Sequence, residues 1–472
     1  MGWCFKIIEI WNLFDIWNFV YWNFWFIQVR FQAQNICWRQ FNRNFVEGKM
    51  KNRICLIAWL LGISVFMVAC SNDQPSEEDL EHAKRILTEV PLIDGHNDLP
   101  WTIRNLEGTP MDVEAYDLRL RTPHDTDIER LRQGLVGAQF WSVFIPGEIK
   151  EQGYAKVQLE QIDIARRVIE KYPDVFELAL TAYDIESAFA RGKIASLLGM
   201  EGGHAIENSL GALRSFYRLG VRYMTLTHNV TLDWADAVMD EPKHDGLTEF
   251  GKEVVREMNR LGMLVDLSHV TPEVMNDALE VSEAPVMFSH SSAFALTDHP
   301  RNVPDEILAK MPENGGVVMV TFIPSFVSQE VKDWAEPMQA LLQGVAFDDE
   351  FHRIKNEYTA ANQPKPTATL QHVADHIEHV RDVAGVDHVG IGSDYWGSGD
   401  MPEGLEDVSR FPYLFAELIK RGWTDEDLKK LAGGNLLRVL QRAETVAARL
   451  QKERPASTAI IETMPPIDPK TN

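Results

Sequence analysis

Eight short apolar runs recur along this chain of 472 residues, at 91–96, 136–145, 194–199, 221–226, 263–267, 285–288, 316–323 and 388–391. Each is of strand length and lacks a polar face, as expected of a strand buried on both sides. Stretches with helical periodicity lie at 77–87, 158–171, 209–219, 248–260, 272–279 and 370–383. Strands that alternate with helices pair in parallel, and eight such units predict a closed (β/α)8 barrel of the TIM type instead of an open sheet. Inserted helical and polar text at 327–369, between the seventh and eighth strands, suits a lid or a subunit contact. A closing helical region follows at 424–440 with Gly433 and Gly434 as a break, and the Pro-rich tail from 454 reads as disordered.

In such a barrel, function gathers where the strands end. Six of the eight runs end on His, Asp or Glu, whereas loops usually begin with Gly, Asn or Ser. Alternate side chains of an extended chain point the same way, so His96 and Asp98 can face one ion while Asn97 turns aside. His269 and His290 suit a second ion, and Glu201 is the carboxylate best placed to bridge the two. Imidazole and carboxylate ligands without a thiolate favour zinc, with manganese or cobalt also fitting. Two divalent ions about 3.5–4 Å apart make water nucleophilic at neutral pH and polarise the bond it attacks, so the pattern points to metal-assisted hydrolysis. Asp394 is the candidate to carry a proton to a leaving nitrogen, and His228 to donate to a carbonyl oxygen as it becomes charged. Arg301, eleven residues after His290, could grip a carboxylate with its planar fork. His204 reads as a partner behind Glu201 or as a satisfied strand-end residue. His372, His376 and His379 fall at i, i+4 and i+7 of a helix and read as a solvated face.

The first 70 residues read differently. Residues 1–49 hold six of the thirteen Trp without helical or strand spacing, and a second Met stands at 50. Lys51 and Arg53, an apolar run of 16 residues at 54–69, and then Cys70 have the layout of a secretory signal peptide ending in a bacterial lipoprotein cleavage site. The expectation is that translation starts at Met50, that 1–49 is a non-native upstream extension, and that Cys70 carries the lipid. Ser71 in place of Asp then favours the periplasmic face of the outer membrane in a host with two membranes. A polar tether at 71–76 leads into the first helix, ahead of a barrel at 91–453. The four Cys are 4, 37, 55 and 70, which excludes a disulfide framework, a cysteine nucleophile or a zinc finger from the barrel. A net charge of −24 with no basic stripe argues against binding nucleic acid through phosphate contacts.

The text resembles the membrane dipeptidase, or renal dipeptidase, family of amidohydrolase-like barrels. The matching stretches are IDGHNDLPW at 93–101, GMEGGHAIENSLGALRSFYRLGVRYMTLTHN at 199–229, WADA at 234–237, VDLSHVTPEVMNDAL at 265–279, PVMFSHSSA at 285–293, HPRNVPDEIL at 299–308 and VGIGSDYWG at 389–397. The resemblance implies the same ligand set, with His228 and Arg301 binding substrate, Arg301 on the free C-terminal carboxylate, and Asp394 handling protons. It also implies dipeptide substrates, tolerance of a C-terminal D-residue, opening of some β-lactams, and a homodimer. Where the family often has a substrate-contacting tyrosine after the seventh strand, this chain has Phe322 and Phe326. The rival readings are a deacylase or cyclic amidase on the same barrel, and a non-catalytic peptide-binding lipoprotein. The former commonly starts with an HxH pair where this chain has HxD, and the latter is expected to lack a ligand where all five are present.

Overall fold

A computed structural model of the chain describes residues 75–342, 345, 349–395 and 400–464. The readings of the leader, of Cys70 and of 465–472 lie outside the described residues. Nine strands form: β1 (Leu92–Asn97), β2 (Val136–Ser142), β3 (Phe176–Leu178), β4 (Ile194–Glu201), β5 (Val221–Thr225), β6 (Leu264–Asp266), β7 (Met287–Phe288), β8 (Val317–Val320) and β9 (Val389–Ile391). All pairings are parallel, and every residue of the strands other than β3 is buried, which explains their unbroken apolar text. β1 pairs with β2 and with β9, β2 pairs with β4, and β4 through β9 follow in chain order, so eight strands close a barrel. These are the eight runs expected from the sequence.

The ninth strand, β3, was not expected. β5 meets β4 only from Leu198 onward, which leaves the flank of Ile194–Ser196 open, and Phe176–Leu178 pairs there. Three residues carry no period that a sequence could reveal.

Helices cover the barrel with their apolar stripes. Glu249–Leu261 is capped by the Thr248 hydroxyl, turns Phe250, Val254, Val255 and Met258 inward, and stops at Gly262 with φ +84°. The insertion supplies helices Gln329–Leu342 and Asp349–Ala361, joined by an edge contact of Trp334 with Tyr358 at 5.3 Å. Among the described residues, no helix is long and apolar enough to cross a membrane.

Three further expectations change. His376 is not solvated: helix Leu370–Ala384 turns it inward beside Val373, Ile377 and Val380, and its Nδ1 accepts the Ala293 N–H at 3.0 Å. Burial pushes its pKa down to about 3, so the ring is neutral. Its neighbours also have separate duties, His372 accepting the Thr369 N–H and His379 meeting Asp305 at 2.8 Å. Gly433 and Gly434 do not break the closing helix; Lys430–Gly434 is a π-turn that runs directly into helix Asn435–Glu453. The start of the tail is docked, since Ser457 gives its N–H to Glu257 and its hydroxyl to Glu253.

Gly433 is required by close approach. A Cβ there would sit 2.3 Å from the Pro91 carbonyl oxygen and 2.7 Å from Ile93, at the foot of β1. Gly433→Ala should therefore destabilise the protein by about 1–3 kcal/mol in urea denaturation, whereas Gly434→Ala, whose nearest neighbour is 3.2 Å away, should cost far less.

Candidate metal centre

The ends of β1, β4, β6 and β7 converge on Glu201, the last residue of β4, which is almost wholly buried. One carboxylate oxygen, Oε2, faces His96 Nε2 at 3.4 Å and accepts from the Ser142 hydroxyl at 3.3 Å. The other, Oε1, lies 3.0 Å from His269 Nε2 and 3.2 Å from His290 Nε2, with His228 Nε2 at 4.0 Å. Asp98 Oδ2 and Asp394 Oδ1 complete the first side, 3.5 and 3.9 Å from His96 Nε2. Asn97 turns away, as the strand period requires, and donates to the Thr126 hydroxyl.

The loops that deliver these groups are constrained. His269 and Asp394 have φ of +70° and +62°, a left-handed conformation that costs about 1–3 kcal/mol for a non-glycine residue and persists only when its surroundings impose it. Asp394 is held by its own N–H on the His96 carbonyl, and Asp98 by its N–H on the Tyr395 carbonyl. Each imidazole is anchored at Nδ1: His96 by the Tyr223 hydroxyl at 2.8 Å, His269 by Asn229 Oδ1 at 3.0 Å, and His290 by the Ser289 hydroxyl at 2.8 Å. All three Nε2 atoms are thereby turned toward Glu201.

Electrostatics prepare the cluster for a cation. Burial pushes His269 and His290 well below the ordinary imidazole value, so they stay neutral with a lone pair available. Burial would raise Glu201, but the charge of His96 and the close polar contacts of His269 and His290 hold it well below the usual carboxylate range. Burial likewise opposes charge on His96, yet Tyr223, Glu201 and Asp98 hold it well above 6.5. His96 Nε2 and Asp98 Oδ1 are buried without a hydrogen-bond partner. Three sets of ligand atoms each lie within 4.8 Å of one another: His96, Glu201 and His290; Glu201, His228 and His269; and His96, Asp98 and Asp394. Imidazole nitrogens, once deprotonated, and carboxylate oxygens gathered this closely fit a divalent metal.

The family model for membrane dipeptidases, peptidase family M19, matches residues 80–454. The chain belongs to the membrane dipeptidase family. Dipeptidase 3 of Rattus norvegicus is 41% identical over 388 residues, covering 81% of this chain and 71% of its own. The crystal structure of the probable dipeptidase PvdM from Pseudomonas aeruginosa superposes with a TM-score of 0.67 at 25% identity, over 78% of this chain and 99% of that one. A metallopeptidase from Rhodobacter sphaeroides, liganded with a phosphinate mimic of the dipeptide L-Ala-D-Ala, gives 0.61 at 26% over 75% and 99%. This membrane dipeptidase family member is thus a metal-dependent hydrolase of peptide bonds on a (β/α)8 barrel.

All the expected ligands, with His228 and Asp394, are gathered in this one cluster. Arg301 reaches its rim, donating to the Ser291 hydroxyl at 3.3 Å and the His290 carbonyl at 3.4 Å. His204 stands behind it, its Nε2 2.9 Å from the Ile145 carbonyl, with burial lowering its pKa to about 4. Of the two phenylalanines, Phe322 packs in the core against Tyr395 and Phe411, while Phe326 lies 5.3 Å under the Arg301 guanidinium. Sequence reasoning missed Tyr223, which sits inside an apolar run, and Asn229, whose role depends on the fold of its loop.

Because a ligand must shed its proton to bind a cation, and His96 is the imidazole held protonated, the apparent metal affinity should rise with pH. A chelator-competition titration between about pH 6 and 8 should show an increase of up to about tenfold per pH unit for each proton displaced. A flat profile would contradict the charge state assigned to His96.

Proposed function

We propose that the chain is a binuclear zinc dipeptidase for dipeptides with a free C-terminal carboxylate, tolerant of a D-residue at that position and able to open some β-lactams. Arg301 carries this reading. It is buried, its Nε has no partner, and no carboxylate among the described residues lies within ion-pair distance of it. Burial lowers its pKa to about 10, partly offset by Asp394 and Glu201, so it remains a cation at neutral pH. A buried fork of this kind awaits an anion, and a substrate carboxylate beside the metal cluster meets that need. The complex of the Rhodobacter sphaeroides relative with an L-Ala-D-Ala mimic supports the tolerance of a D-residue.

His96 and Asp98 would hold one ion, His269 and His290 the other, with Glu201 bridging. Zinc bound there supplies Lewis acidity, polarising a carbonyl and making water acidic enough to attack at neutral pH. The chain's own groups do the rest. Arg301 fixes the carboxylate, and with it the distance from the scissile amide to the cluster. Burial lowers the pKa of His228, so a neutral ring can donate its N–H to the carbonyl oxygen as negative charge develops. Its ring is braced by Phe144 at 4.6 Å, itself against Trp101 at 5.0 Å. Burial pushes Asp394 up to about 7, with Asp98 and Glu201 adding and His96 opposing, which suits a carboxyl that takes a proton and returns it to the leaving amine. A nearby cation lowers that value, keeping Asp394 ionised before attack.

Manganese or cobalt could replace zinc on the same donors. Family resemblance favours a homodimer, which light scattering of the purified protein would test. The Cys70 motif favours a lipid anchor on the periplasmic face of the outer membrane, which labelling with a fatty-acid analogue and a Cys70→Ala variant would test.

Two equivalents of zinc and chelator-sensitive cleavage of a dipeptide panel are expected, with Glu201→Gln lowering kcat by at least about a hundredfold. Arg301→Met should raise KM for dipeptides by about 10–100-fold, from loss of a charge-assisted hydrogen bond. Zinc binding without cleavage of any dipeptide or β-lactam would move the assignment to another amide substrate.

A further inference from the structure

Below the metal ligands lie two fully buried carboxylates that the chemistry above does not use, Asp94 on β1 and Asp266 on β6. Each grips a serine from another part of the barrel at two points. Asp94 accepts the Ser393 N–H at 2.7 Å and its hydroxyl at 2.6 Å. Asp266 accepts the Ser289 N–H at 2.8 Å and its hydroxyl at 2.6 Å. In both cases the gripped serine immediately precedes a site residue, Asp394 or His290.

We propose that Asp94 and Asp266 are positioning residues with divided duties: the Asp266–Ser289 pair sets the tautomer and pose of His290 as a metal ligand, and the Asp94–Ser393 pair aims Asp394. The assignment rests on the metal reading above.

Proton accounting supports the first half. The Ser289 hydroxyl has one proton and gives it to Asp266, so its oxygen must accept from His290 Nδ1, 2.8 Å away. The lone pair of His290 is then on Nε2, the atom 3.2 Å from Glu201. Asp266 also accepts two further donors, the Ser268 N–H and the Thr225 hydroxyl, which fix its orientation toward Ser289. Outer partners of this kind fix the orientation of a ligating imidazole and raise its basicity.

Backbone conformation supports the second half. Asp394 is left-handed at φ +62°, and the residue before it is pinned at both N–H and hydroxyl. The two grips also abut, leaving no slack between them. A Cβ on Gly392 would lie 1.8 Å from the Ser289 carbonyl oxygen, and one on Gly95 would lie 2.6 Å from it.

Ser289→Ala and Ser393→Ala each remove one buried hydroxyl and leave the backbone half of the grip. They are compared in the full chain by zinc affinity, the absorption spectrum of bound Co2+, melting temperature, kcat and KM. Ser289→Ala should weaken one metal position by about 10–100-fold and change the cobalt spectrum, while Ser289→Thr, which keeps the hydroxyl, should retain both. Ser393→Ala should keep the metal affinity and the spectrum, and lower kcat at unchanged KM. Unaltered metal affinity in Ser289→Ala, or equal loss in both alanine variants, would overturn the division of roles. A wild-type chain that binds no metal would instead overturn the metal reading itself.

Discussion

One carboxylate organises the mouth of this barrel. Glu201 ends β4 with its two oxygens turned to opposite sides, toward His96 on one and toward His269 and His290 on the other. These four groups come from β1, β4 and the loops after β6 and β7, so they meet only if the sheet closes. Burial disfavours charge on every one of them, and the cluster is tolerable because Glu201 faces the opposite charge of His96 and each imidazole is hydrogen-bonded at Nδ1. His96 Nε2 and Asp98 Oδ1, buried without partners, are where a divalent cation would complete the arrangement once His96 has lost its proton.

Holding such a cluster in register requires a stiff frame. The strands are buried on both faces, the interior is close-packed, and the left-handed turns at His269 and Asp394 are imposed by neighbours that cannot relax. The loop that presents Arg301 shows the same economy of motion. Asn302 gives hydrogen bonds to the carbonyls of Thr297 and Phe326 and accepts the Ser292 N–H, and His376 accepts the Ala293 N–H from behind. A histidine that reads as solvated on its own helix is therefore a strut for the loop carrying Arg301.

Much of the site was legible because strand ends write their chemistry in consecutive letters. His96 and Asp98 are two apart on one strand, and the alternation of an extended chain puts them on one side whatever the rest of the barrel does. Arg301 was legible as a charged residue near a ligand, but not as a cation without a carboxylate partner. The supporting groups were hidden. Tyr223 and Asp266 stand within runs whose apolar neighbours give no hint that a hydroxyl or carboxylate points at a ligand or its neighbour.

The sequence by itself determined the eight-fold alternation, the strand ends that carry the candidate ligands and the family, because hydrophobic period and local spacing are properties of neighbouring residues. It could not determine what depends on closure. The fit of β3 onto the open flank of β4, the inward turn of His376, the continuous π-turn at Gly433 and the docking of Ser457 on Glu257 each rest on a partner distant in the chain. Only the tertiary structure brings those partners within bonding distance, and only there do Glu201, Asp94 and Asp266 acquire the donors that let buried carboxylates exist.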